Sequence, residues 1–177
     1  MRDVADRERI DAFLAALARE ASGAVDVFLV GGTCAVLEGW RASTIDIDLV
    51  IRPESDAMLR AIPALKERLQ VNVELASPDQ FIPVPTGWEQ RSPVVRRIGR
   101  VTFRHYDFTA QALAKIERGH ARDLADVAAM LGRGLTSARE IRAQFAQMEP
   151  ALYRFPALDP ATFRRAVDAV CTPDNDE

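Results

Sequence analysis

The sequence predicts a mixed α/β (α+β) fold: a mixed sheet flanked by helices, followed by a part made of helices alone. Two observations carry this. In the first hundred residues, short apolar runs and one period-two alternation are interleaved with stretches whose apolar residues recur every three to four positions. From Thr109 onward only the helical period persists. Such a chain buries helices on a sheet first and helices on helices afterwards. With 48% hydrophobic and 28% charged residues among 177, it has the apolar surface to form a core.

The elements follow in order. Residues 4–18 put Ile10, Phe13, Leu14 and Leu17 on one side, the pattern of an amphipathic helix. Residues 24–30 are apolar and rich in β-branched side chains, a buried strand that runs into Gly31-Gly32. Residues 33–38 read as a short helix stopping near Gly39. Residues 45–51 alternate Ile-Asp-Ile-Asp-Leu, a strand with its acids on one face, closed by Pro53. A helix starts at Glu54 or Ser55, with Met58, Leu59, Ile62, Leu65 and Leu69 on one side; Pro63 bends it or marks a late start. Residues 70–75 form a third strand.

Residues 76–93 hold Pro78, Pro83, Pro85, Gly87 and Pro93, and read as a loop or lid rather than an element. Residues 94–98 and 101–106 make a hairpin turning at Gly99. Helices follow over residues 110–118, 122–131, 137–148 and 160–170, the last with Asp159 as N-cap and Pro160 at its first position. The last residues, Thr-Pro-Asp-Asn-Asp-Glu, read as a frayed tail. The expected division is a core over residues 1–108 and a helical part over residues 109–177 packed on it.

The bulk properties narrow the function classes. No apolar run approaches the roughly 20 residues that cross a bilayer, and the charged N-terminus lacks the apolar stretch of a signal peptide. A cytoplasmic location without membrane partners is expected. Cys34 and Cys171 form no closely spaced pair, which argues against zinc and disulfide frameworks and for two buried small apolar residues. A net charge of -3 excludes a general nucleic-acid-binding polycation. The charge is uneven, however. Residues 1–90 carry 9 basic and 15 acidic side chains, and residues 91–142 carry 11 basic and 5 acidic ones. An acidic half suited to metal precedes a basic segment suited to phosphate, or to an ordinary solvated surface.

The chemistry concentrates in LVGGTCAVLEGWRASTIDIDLVI. Two glycines after a strand let backbone approach a triphosphate, and amides at a helix N-terminus hold anionic oxygens. Thr33 adds a hydroxyl, so Gly31, Gly32 and Thr33 are candidate phosphate contacts. Asp46 and Asp48, two apart on a strand, aim both carboxylates to one side. That pair suits Mg²⁺ (or Mn²⁺), which takes oxygen ligands and substrate phosphates; without a cation, paired like charges are costly. The plain alternative is an edge strand with one wet face. His105 and His120 lack metal-ligand spacing and read as surface or satisfied polar residues, while Trp40 and Trp88 read as packing residues.

At this point the sequence resembles a known family. Gly-Gly-Thr followed by Asp-x-Asp looks like the signature of the DNA-polymerase-β-like nucleotidyltransferases. The longer pattern GGTxxxLxGxRxSTxDID resembles the bacterial minimal nucleotidyltransferases that include AbiE-type toxins. ALAKIERGHARDLADVAAML, with its Lys-x-x-Arg and Arg-Asp-x-x-Asp, is similar to that subgroup's second motif. The resemblance implies a nucleotidyltransferase fold and transfer of a nucleoside monophosphate from an NTP to an acceptor. It also implies a third carboxylate on a neighbouring strand, which Glu74 matches although many relatives have Asp there. Lys115 would contact triphosphate oxygens, with Arg118 and Arg122 adding phosphate contacts and Asp123 and Asp126 orienting the cations. Arg41 would reach the nucleotide or cap the acidic face. The basic segment is expected to face the carboxylates. The acceptor stays open among RNA, protein and a small molecule, with the toxin-like resemblance favouring the first two and implying an antitoxin partner. The competing reading is a noncatalytic nucleotide- or partner-binding module that retains the fold.

Overall fold

The computed structural model describes residues 4–172. The chain divides into two compact units, Met1–Ser77 with Ser92–Tyr106, and Pro78–Arg91 with Asp107–Glu177.

The first unit contains strands β1 (Ala5–Asp6), β2 (Val25–Val30), β3 (Ser43–Thr44), β4 (Asp46–Arg52), β5 (Asn72–Leu75), β6 (Val94–Ile98) and β7 (Val101–His105). Its helices are α1 (Arg7–Arg19), α2 (Gly32–Glu38) and α3 (Asp56–Leu69). Among the described residues, five strands form one mixed sheet in the order β5-β4-β2-β7-β6. β2 runs antiparallel to β4 and parallel to β7, while β5 runs parallel to β4. The predicted mixed sheet flanked by helices is therefore the observed architecture.

Strand alternation sets the two faces. Ile47, Leu49 and Ile51 of β4 are buried together with Val27, Leu29, Val73, Val101 and Phe103. The buried stripes of α1 (Ile10, Phe13, Leu14, Leu17) and α3 (Met58, Ile62, Leu65), two helices that pack on each other, complete this core. Asp46, Asp48 and Val50 alternate onto the opposite face and stay half-buried.

Three local readings are corrected. α3 is continuous through Pro63 rather than starting late. Ser55 caps it by accepting from the Met58 amide, and the burial of Met58, Ile62 and Leu65 outweighs the hydrogen bond that a proline cannot donate. The first helix starts later than expected, because Asp6 accepts from the Arg9 amide as its N-cap. Residues 4–6 contribute instead to β1, which pairs with β3 in a two-residue ladder; two residues leave no periodicity to read. The proline-rich stretch is not elementless either: it holds a 3-10 turn at Pro78–Gln80 and the short helix α4 (Trp88–Arg91). The expected frayed tail falls on residues 173–177, outside the described residues.

The second unit is helical. α5 (Phe108–Arg118) packs with α6 (Ala121–Gly132), α7 (Ala138–Met148) and α8 (Pro160–Cys171), with a 3-10 segment at Glu149–Arg154. Its N-cap, Asp107, is buried and accepts from the Thr109 amide, Arg91 Nε at 2.8 Å and Gln144 Nε2 at 3.3 Å. Arg91 also donates to the Pro85 and Thr86 carbonyls, which ties the proline-rich stretch to the start of α5. Phe145 and Phe163 meet edge to face between α7 and α8. No helix of the described residues is long and apolar enough to cross a membrane. Cys34 and Cys171 are both buried, as read from the sequence.

Candidate active site

The site grows from the point where β2 ends. Val30 lies opposite Asp48, and the chain then leaves the sheet through Gly31. Gly31 has φ 59° and ψ -126°, a conformation that L side chains avoid. A methyl group added to it would stand 3.1 Å from the Asp48 Oδ2, so the bare backbone here lies directly against that carboxylate. At Gly32 an added methyl would stand 2.1 Å from Thr44 Oγ1 and 3.5 Å from Arg41 Nη1. The second glycine is thus demanded by the chain's own β3, and the Arg41 guanidinium lies beside the turn.

Thr33 is fully buried. Its Oγ1 accepts a hydrogen bond from the Asp48 amide at 3.1 Å. Its side chain therefore faces the strand that carries the carboxylates rather than open solvent. Thr44, also buried, donates from Oγ1 to the Asp46 carbonyl at 3.0 Å. Sequence reasoning assigned Thr44 no role; the one signal was its place at the Ser-Thr step just before the Asp-x-Asp.

β5 supplies the neighbouring positions. Asp46 pairs in register with Asn72, and Asp48 with Glu74, so Glu74 shares the acidic face. Glu74 is exposed. Among the described residues no three His, Cys, Asp or Glu side chains are gathered closely enough to hold a metal ion, so the two aspartates and Glu74 do not form a closed three-carboxylate cage. Two carboxylates on one strand face still fit Mg²⁺, which characteristically takes one or two protein carboxylates and completes its octahedron with phosphate oxygens and water. Elsewhere on the same face charge is neutralised internally: Arg104 Nε stands 3.2 Å from Asp26 Oδ2.

Lys115, Arg118 and Arg122 belong to the helical unit. Lys115 is buried, with Nζ 2.7 Å from Asp126 Oδ2 and 3.4 Å from Asp123 Oδ1. Arg118 forks both oxygens of Asp123. Two cations and two carboxylates make the quartet neutral. Burial raises the Asp123 pKa, but the Arg118 bonds and the Lys115 charge outweigh it and hold the carboxyl below its ordinary value. Arg122 is exposed on α6. Of the two histidines, His105 is buried at the end of β7 with Nε2 2.8 Å from Glu38 Oε1; His120 is exposed before α6.

Residues 8–154 match the model of a protein family described as a nucleotidyltransferase of unknown function (DUF6036). No curated protein and no solved structure matches the chain.

Proposed function

This chain belongs to that nucleotidyltransferase family, and we propose that it moves a nucleoside monophosphate from an NTP to an acceptor hydroxyl in a reaction dependent on Mg²⁺ or Mn²⁺. One observation carries the proposal: Asp46 and Asp48 share the half-buried face of β4, with the Gly31 backbone turned against the Asp48 carboxylate. Asp46 and Asp48 would hold the cation, which when bound would offset the charge of the triphosphate and activate the acceptor hydroxyl for attack. The Gly31-Gly32 turn and Arg41 would meet phosphate oxygens, the guanidinium serving as a cation fixed beside the turn. Glu74, in register with Asp48 and open to solvent, would take the acceptor proton or lend a further oxygen to the cation. The acceptor hydroxyl gives up its proton to Glu74 or to solvent, its oxygen bonds to the α-phosphorus, the bond from that phosphorus to the bridging oxygen breaks in line, and pyrophosphate leaves. Lys115 and Arg118 are not needed for this account, since Asp123 and Asp126 already balance them.

The Gly-Gly-Thr to Asp-Ile-Asp pattern supports a finer version, in which the acceptor is RNA or protein and the protein is the toxin of a toxin–antitoxin pair. The open arrangement of Glu74 supports a second reading, a module that binds NTP without transferring from it. Incubation with α-labelled NTPs, Mg²⁺ and total cell RNA and protein separates them. The proposal expects label on an acceptor and pyrophosphate release, both lost in Asp46→Ala/Asp48→Ala. NTP binding that depends on the aspartates, with no pyrophosphate from any mixture, would leave the second reading standing.

A further inference from the structure

β4 outruns its neighbour. The β2 ladder ends at Val30 opposite Asp48, while β4 begins two residues earlier at Asp46. Asp48 therefore sits at the last rung of the β2 ladder and Asp46 beyond it. Two buried hydroxyls meet the backbone there. Thr33 accepts from the Asp48 amide at 3.1 Å, and Thr44 donates to the Asp46 carbonyl at 3.0 Å. Each bond is made to a carboxylate-bearing residue, and Ile47 between them points into the core at 0% exposure. Gly32, the chain neighbour of Thr33, leaves by its missing side chain the space that Thr44 fills. Thr44 is held in turn by β3, in register with Ala5 of β1.

We propose that Thr33 and Thr44 are positioning residues for cation binding: through these two hydroxyls they fix the backbone of Asp46 and Asp48, and so set how closely the two carboxylates converge. The inference rests on the proposed cation role of the aspartates. It gives the Gly-Gly-Thr turn a duty apart from phosphate contact, since the Thr33 side chain has no exposed surface. Supporting groups of this kind typically change metal affinity by about 10–100-fold when removed. Valine keeps the shape of threonine and deletes the hydroxyl; serine keeps the hydroxyl.

The test measures Mn²⁺ affinity by electron paramagnetic resonance of the free ion, with urea unfolding in parallel on the same full-length chains. Wild type is compared with Thr33→Val, Thr44→Val, Thr33→Ser, Thr44→Ser and Asp48→Asn. The proposal expects Mn²⁺ affinity to drop about tenfold or more in each valine variant at concentrations where it remains folded, and each serine variant to restore it. Valine variants that lose stability yet bind Mn²⁺ as wild type does while folded, with Asp48→Asn losing it, would overturn the positioning role alone. Asp48→Asn binding as well as wild type would overturn the cation reading and this inference with it. If a valine variant fails to fold, its serine partner decides: Mn²⁺ affinity within twofold of wild type supports the role of the hydroxyl, and a tenfold loss with the hydroxyl present overturns it.

Discussion

At the scale of single residues, the two glycines of the turn have separate reasons to be glycine. Gly31 is fixed by its backbone angles and by the Asp48 carboxylate, Gly32 by the bulk of Thr44. An alanine at position 32 would place its methyl 2.1 Å from Thr44 Oγ1 and 2.8 Å from Thr44 Cβ, and neither atom is the end of a flexible chain. Gly32→Ala should therefore cost about 1–3 kcal/mol in urea unfolding, the usual range for overpacking. Adding Thr44→Ala removes the nearer clash, so the double variant should lose less than the two single losses combined. Strict additivity would mean that the fit between Gly32 and Thr44 is not what makes position 32 intolerant. The pair also shows what a sequence conceals. A Gly-Gly step after a strand announces close backbone approach but does not name every partner that approaches. That the approaching partner at Gly32 is a threonine twelve positions on depends on β3, whose two residues carry no readable period.

At the scale of elements, α5 and α6 are joined by buried charge. Lys115 at 7% exposure and Asp126 at 2% sit 2.7 Å apart, and Arg118 and Asp123 complete the neutral set. Replacing Lys115 with methionine keeps the stem's volume and leaves Asp126 buried with its main cation gone. Breaking one side of such a pair costs about 3–5 kcal/mol, whereas replacing both sides with apolar residues is often neutral. Lys115→Met should accordingly lower the urea midpoint sharply, and Lys115→Met/Asp126→Leu should recover much of the loss. A Lys115→Met chain with an unchanged midpoint would show that the pair contributes nothing to the helical unit. This order of effects matters for reading activity data, because a Lys115 variant that loses turnover has first to be shown folded. The Lys-x-x-Arg and Arg-Asp-x-x-Asp spacing was legible only through the family resemblance, and the pairing of its cations with its acids depends on how α5 packs with α6. The acids on one face of β4 were legible from period two. The late start offered at Pro63 failed because a proline rule is local, while the three buried side chains that keep α3 whole are tertiary. The helix Trp88–Arg91 was hidden among prolines, since four residues are too few for periodicity.

At the scale of the whole molecule, acid should act on the two units at different pH. His105 lies in the first unit, 5% exposed. Burial pushes its pKa below the ordinary value near 6.5, and the hydrogen bond and charge of Glu38 only partly offset that. Between the folded and unfolded values the unfolded chain binds the proton more readily, so stability rises with pH across that window. The His105 contribution is therefore complete above about pH 6.5 and is lost as pH falls from there through the folded value. Asp123 lies in the second unit, and its pKa is also depressed, so its contribution has the same sign. It begins to be lost only below the unfolded aspartate value of about 3.9. The chain has two tryptophans, and Trp40 falls in the first unit and Trp88 in the second. A Trp88→Phe chain thus reports through Trp40. Its urea midpoint should fall as pH is lowered from about 7 toward 5, and the fall should flatten in His105→Gln, which keeps an amide donor for Glu38 but does not titrate. In a Trp40→Phe chain, Trp88 should report a further loss below about pH 4 that Asp123→Asn shows already at neutral pH. If the midpoint from Trp40 slopes equally with and without His105, burial of that imidazole is not what makes the first unit acid-sensitive.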